Sequence, residues 1–126
     1  MITVTYHRDH NKVEVTGHAH SGEVGHDLVC ASASILIYTI ASFAKNTAKA
    51  KQSKKLEIKL QEGNAVVGCK AKAPYKAAIT LVFDAMCGGF ELLARNYPEN
   101  ISYERPDISR SESQFMQQCA KKALGI

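Results

Sequence analysis

Val13-Glu14-Val15-Thr16-Gly17-His18-Ala19-His20-Ser21-Gly22-Glu23-Val24-Gly25-His26-Asp27-Leu28-Val29-Cys30-Ala31-Ser32-Ala33 contains the change of hydrophobic period that decides the fold. Val13 and Val15 alternate with polar neighbours, the period of a half-buried strand. Gly17 to His26 is polar and glycine-bearing, with no period, and reads as a loop. From about Asp27 the apolar residues recur at helical spacing: Ala33, Ile37, Ile40 and Ala44 share one face, with Leu36 and Phe43 beside them.

Upstream, Ile2, Val4 and Tyr6 alternate with Thr3 and Thr5, and Arg8-Asp9-His10-Asn11 turns the chain into the second strand. Downstream, the first helix ends near Thr47 to Lys51. Leu56, Ile58 and Leu60 alternate as a third strand, Glu62-Gly63-Asn64 turns, and Ala65 to Ala71 returns as a fourth. Pro74 suits the first turn of a second helix, whose apolar positions are Ala78, Leu81, Val82, Ala85, Met86 and Leu93. Gly88 and Gly89 lie inside it and cost about 1 kcal/mol each against alanine, which close packing within the fold or across a dimer would offset. Ile101 to Tyr103 reads as a short fifth strand that Pro106 stops. Ser109 or Ser111 caps a final helix carrying Phe115, Met116, Cys119, Ala120 and Leu124. The order ββαββα predicts an α+β fold, an antiparallel sheet with helices packed on it, plus a C-terminal helical tail.

At 126 residues the size prior is one domain, and 45% hydrophobic against 22% charged residues argues for a packed core and against disorder. No run of about 18 apolar residues predicts a membrane span, and Met1 to Tyr6 lacks the pattern of a signal peptide. The expectation is a cytoplasmic protein whose cysteines are thiols. Cys30, Cys69, Cys87 and Cys119 form no CxxC pair, so neither a metal nor a cofactor is expected. The net charge of +4 includes a cluster at Lys45, Lys49, Lys51, Lys54 and Lys55. A solvated face near a helix C-terminus accounts for it; contact with an acidic partner such as ribosomal RNA is the other reading.

Asp27 stands where an N-cap belongs, which makes Cys30 the third residue of the helix. The unpaired N–H groups and positive dipole end there stabilise a thiolate and bind an oxyanion. His18, at the end of the second strand, is a base that an eleven-residue loop brings to Cys30. Each residue also has a plainer reading. Cys30 fits as a small buried hydrophobe, His18 as a strand-end polar residue, and Asp27 as the cap alone rather than a group orienting His18. Ser34, one turn after Cys30, hydrogen-bonds near the thiol or back to the Cys30 carbonyl. His20 and His26 are loop residues or, with His18 and Cys30, a zinc set whose spacing fits no usual pattern.

The GHA triplet at Gly17-His18-Ala19 and the segment Asp27-Leu28-Val29-Cys30-Ala31, at this separation, resemble the signature of the ribosomal-processing cysteine protease family Prp, the YsxB-like proteins. With the opening strand and the ββαββα order, the resemblance spans roughly residues 1–105. It implies small cytosolic proteins, commonly homodimers, that remove an N-terminal extension from a large-subunit (50S) ribosomal protein of the bL27 type. By motif position it makes His18 the general base and Cys30 the nucleophile, with Asp27 and Ser34 in support. A mobile substrate loop falls at Ala19 to His26, pivoting on Gly22 and Gly25. Residues 1–108 are then the protease domain and 109–126 an extension. The rival reading is a non-catalytic ribosome-associated module that binds through its lysines and a peptide groove.

Overall fold

The computed structural model describes residues 1–18 and 24–106, together with Gln118 and Lys122; of 24–27 it describes the backbone only. Strands β1 (Ile2–His7) and β2 (Lys12–Thr16) are joined by a single 3₁₀ turn, Arg8–His10. Helix α1 (Val24–Lys49) follows, then the hairpin β3 (Ser53–Gln61) and β4 (Asn64–Ala71), a 3₁₀ turn at Ala73–Tyr75, helix α2 (Lys76–Asn96) and the short β5 (Ile101–Glu104). The tail helix expected beyond Ser109 lies outside the described residues, apart from Gln118 and Lys122.

The sheet has the order β3-β4-β2-β1-β5. β1–β2, β2–β4 and β3–β4 pair antiparallel, as expected, whereas β5 pairs parallel to β1, with Val4 opposite Tyr103. The fold is therefore α+β with a mixed sheet. The parallel edge arises because α2 intervenes between β4 and β5 and carries the chain back along one face.

Both helices pack on that face. β1 alternates buried and half-buried residues, sending Ile2, Val4 and Tyr6 inward. From α1 come Ala33, Ile37, Ile40 and Ala44, the face read from the sequence. From α2 come Ile79, Phe83, Cys87 and Phe90. This corrects the sequence reading, because Ala78, Leu81 and Ala85 face outward. α2 is apolar on two sides, so periodicity alone does not choose between them. Leu28–Lys49 and Ala73–Asn96 both reach a mean hydropathy of 1.6, the composition of a membrane span, yet each has one face packed on the sheet. Gly89 lies where the helices meet, since a Cβ there would stand 2.7 Å from Leu36 Cδ2, while Gly88 faces open space.

A second correction concerns the start of α1. The helix begins at Val24, three residues before Asp27, so Gly25 and His26 belong to its first turn rather than to a loop. Glycine is a poor helix former, which is why Gly25 hides this turn in the sequence.

Two polar devices tie α2 to the β1–β2 hairpin. Asn11, fully buried and left-handed (φ 47°), donates from Nδ2 to Thr80 Oγ1 at 3.0 Å. Asparagine tolerates that backbone region better than most residues. Tyr6 Oη donates to Asp84 Oδ1 at 2.7 Å, and Arg8 grips the same carboxylate through Nε and Nη2 at 3.1 to 3.2 Å.

Candidate active site

A cleft of about 250 Å³ opens between the N-terminal half of α1 and the tip of the β3–β4 hairpin. His18 and Cys30 both line it, with Ser34 and Tyr38 on the helix side and Leu60, Glu62, Gly63 and Asn64 on the hairpin side. Ile2, Val15, Ala33 and Ile37 also line it and supply its apolar wall.

His18 follows directly from β2, and its backbone is fixed at two places. Its carbonyl accepts a hydrogen bond from the Met1 nitrogen at 2.9 Å. The preceding Gly17 donates its N–H to the Gly63 carbonyl at 3.0 Å. Gly17 has φ +91°, and a Cβ there would collide with the Met1 carbonyl oxygen, so only glycine fits. The His18 ring lies over Gly63: a Cβ on Gly63, itself at φ +77°, would stand 2.7 Å from Cε1 and closer still to Nε2. The seat of the imidazole is thus made by a glycine 45 residues downstream. The sequence marks Gly63 as a turn residue, and only the tertiary fold reveals this second role.

Cys30 is half-buried on α1 and packs against the core from the cleft side. Ser34, one turn later, is exposed on the same wall. With α1 starting at Val24, Cys30 is its seventh residue rather than its third. The free N–H groups of the helix start belong to residues 24–27, and the dipole's influence fades within the first turn. Cys30 therefore lies beyond the first turn in which the sequence reading placed it. Asp27 is inside the helix, not at its N-cap; its side chain and that of His26 lie outside the described residues, as do His20 and Gly22. Among the described residues no group of three histidines, cysteines or acids is placed to hold a metal.

The other described thiols are in different surroundings. Cys69 and Cys87 are buried, and burial pushes both thiols up, so they stay neutral and shielded. Cys30 is the one described cysteine that is not buried, and the cleft it lines also holds the His18 imidazole.

A thiol and an imidazole on two different elements facing one surface cleft are the equipment of a cysteine hydrolase. The family model of the cysteine protease Prp matches residues 1–102, and the chain belongs to that family. Solved structures agree. SMU.848 from Streptococcus mutans is 28% identical, with a TM-score of 0.59 over 82% of this chain and 90% of its own. Prp from S. aureus, solved with a covalently linked product peptide, is 26% identical, with a TM-score of 0.60 over 83% of this chain and 99% of its own. The S. aureus protease with a substrate peptide aligns at 22% identity and a TM-score of 0.58, covering 82% of this chain and 96% of its own, and shows the likeness of fold. No curated protein sequence matches the chain.

Proposed function

We propose that this chain is an endopeptidase that removes the N-terminal extension of a large-subunit ribosomal protein of the bL27 type in the cytoplasm, with Cys30 as nucleophile and His18 as general base. The supporting observation is that these two side chains, singled out by motif, line the same cleft in a chain of the Prp family. The S. aureus relative is a ribosomal processing protease that has been solved with a substrate peptide and with a covalently linked product peptide, which a thiol nucleophile accounts for.

In this reading His18 takes the Cys30 proton as Sγ attacks the scissile carbonyl carbon. The tetrahedral adduct collapses, the C–N bond breaks, and His18 returns the proton to the leaving amine. Water, deprotonated by the same imidazole, then hydrolyses the thioester and frees the thiol. Ser34 and Asp27 support the site. Residues 1–108 carry the activity.

The reading includes a homodimer. Ala78, Leu81, Ala85, Gly88 and Leu92 form a second apolar stripe on α2, with Leu81 69% and Leu92 58% exposed. A helix apolar on both sides is normally covered on both.

The test is mass spectrometry of the extended ribosomal protein incubated with wild type, Cys30→Ala and His18→Gln. Wild type alone releases a single N-terminal fragment, while both variants keep their far-ultraviolet circular dichroism. Cleavage by Cys30→Ala, or none by folded wild type, overturns the assignment and leaves a binding module.

A further inference from the structure

The fold gathers the lysines at one end. β2 begins at Lys12, β4 carries Lys70 next to its last residue and is followed by Lys72, and α2 begins at Lys76. α1 closes with Lys45 and Lys49, Lys51 sits in the turn that follows, and β3 opens with Lys54 and Lys55. Strand pairing places these termini side by side: Ser53 is opposite Ala71, and Lys12 is opposite Gly68. Nine of the chain's sixteen lysines and arginines thus meet at this end. His18, Cys30 and the hairpin tip are at the other, about 28 Å away along α1 by its rise per residue.

These charges are mostly uncompensated. Lys12 is shared between Glu14 and Glu57, and Lys76 donates to the Asp9 carbonyl at 2.9 Å and to Asn11 Oδ1 at 2.7 Å. The other seven are exposed, and among the described residues none forms an ion pair. A pocket of about 460 Å³ opens at this end, where Lys12, Lys55, Lys70 and Lys76 outnumber the acidic Asp9 and Glu57 that also line it.

Two further features separate this end from an ordinary solvated face. Lys51 (φ 60°) and Lys55 (φ 53°) occupy left-handed backbone positions that favour glycine or asparagine. Lys51 terminates α1 where glycine is usual: its N–H bonds to the Ala48 carbonyl and that of Gln52 to the Thr47 carbonyl. Lys55 lies in the irregularity between Lys54 and Glu57. Both points carry a lysine despite the backbone cost. Tyr75, 40% exposed, stands between Lys72 and Lys76 and offers an aromatic face inside the basic surface.

We propose that this end binds single-stranded RNA, its lysines tracking successive phosphates and Tyr75 stacking on a base. Interleaved cations and an exposed aromatic ring are what a sequence-tolerant single-strand surface needs. The site is remote from the cleft and does not depend on peptide cleavage.

The experiment is fluorescence anisotropy of a labelled uridine RNA of about twelve nucleotides, within the span such surfaces cover, titrated at several salt concentrations. Wild type binds with an affinity that falls steeply as salt rises. The quadruple variant Lys51→Gln/Lys54→Gln/Lys55→Gln/Lys72→Gln reduces the log–log slope by about three, at about 0.7 for each phosphate no longer neutralised. Lys72→Gln alone, on a residue outside helix and strand, reduces it by about 0.7. Tyr75→Ala weakens binding with the slope unchanged, and Lys59→Gln, toward the cleft end of β3, changes neither. Absence of saturable RNA binding, slopes equal in wild type and the quadruple variant, or binding to phosphatidylglycerol vesicles in place of RNA would overturn the proposal.

Discussion

Gly63 acts on the proposed chemistry through the space it leaves. The His18 ring occupies the volume a Cβ would take, and the φ of +77° adds its own bias toward glycine. In Gly63→Ala the ring must swing away, and a general base displaced by about 1 Å costs about a hundredfold in rate. The backbone change itself costs about 1 kcal/mol of stability. We therefore expect kcat for peptide cleavage to fall about a hundredfold, KM to change little, and the fold to persist by circular dichroism. Undiminished kcat would mean that the ring's seat does not matter to catalysis. His18 and Cys30 are legible in the sequence because their motifs are local and lie within one span of residues. Gly63 is not, because its contact with His18 exists only after the hairpin has folded back.

At the scale of elements, periodicity finds each helix but does not alone decide which side meets the sheet. α1 is apolar on two sides: Ala33, Ile37, Ile40 and Ala44 are buried as their spacing requires, while Leu28, Ile35 and Tyr38 are exposed. So is α2, where the large aromatic residues Phe83 and Phe90 take the core while Leu81 and Leu92 are left outside. The β3 edge repeats the ambiguity: Leu56, Ile58 and Leu60 alternate as a strand should, yet each is nearly 40% exposed. The start of α1 is illegible for a different reason, since Gly25 reads as loop and Asp27 as a cap. The outer stripe of α2 yields its own prediction. Leu81→Lys places a charge at the centre of the proposed dimer contact without touching the core. Light scattering should give twice the chain mass for wild type and the single chain mass for Leu81→Lys, with unchanged circular dichroism. A monomeric wild type removes the dimer.

At the scale of the whole molecule, four titratable groups among the described residues are held neutral by the core. Burial raises the Tyr6 and Tyr103 phenols, with the Asp84 carboxylate adding to the effect on Tyr6, and it raises the Cys69 and Cys87 thiols as well. In the unfolded chain the thiols release protons near pH 9.0 and the phenols near 10.0. Below that range both states hold the same protons on these groups, and their contribution to stability is constant. Above it the unfolded chain binds fewer protons than the folded one, so stability falls with pH. The limit is about 1.4 kcal/mol per pH unit for each group. The urea midpoint should hold steady from about pH 7 to 8 and decline above about 9, more steeply past about 10. Tyr6 and Tyr103, two of the chain's five tyrosines, should acquire tyrosinate absorbance only together with unfolding. If all five tyrosines titrate while the circular dichroism stays native, the core does not hold these phenols neutral and the predicted alkaline loss of stability has no source.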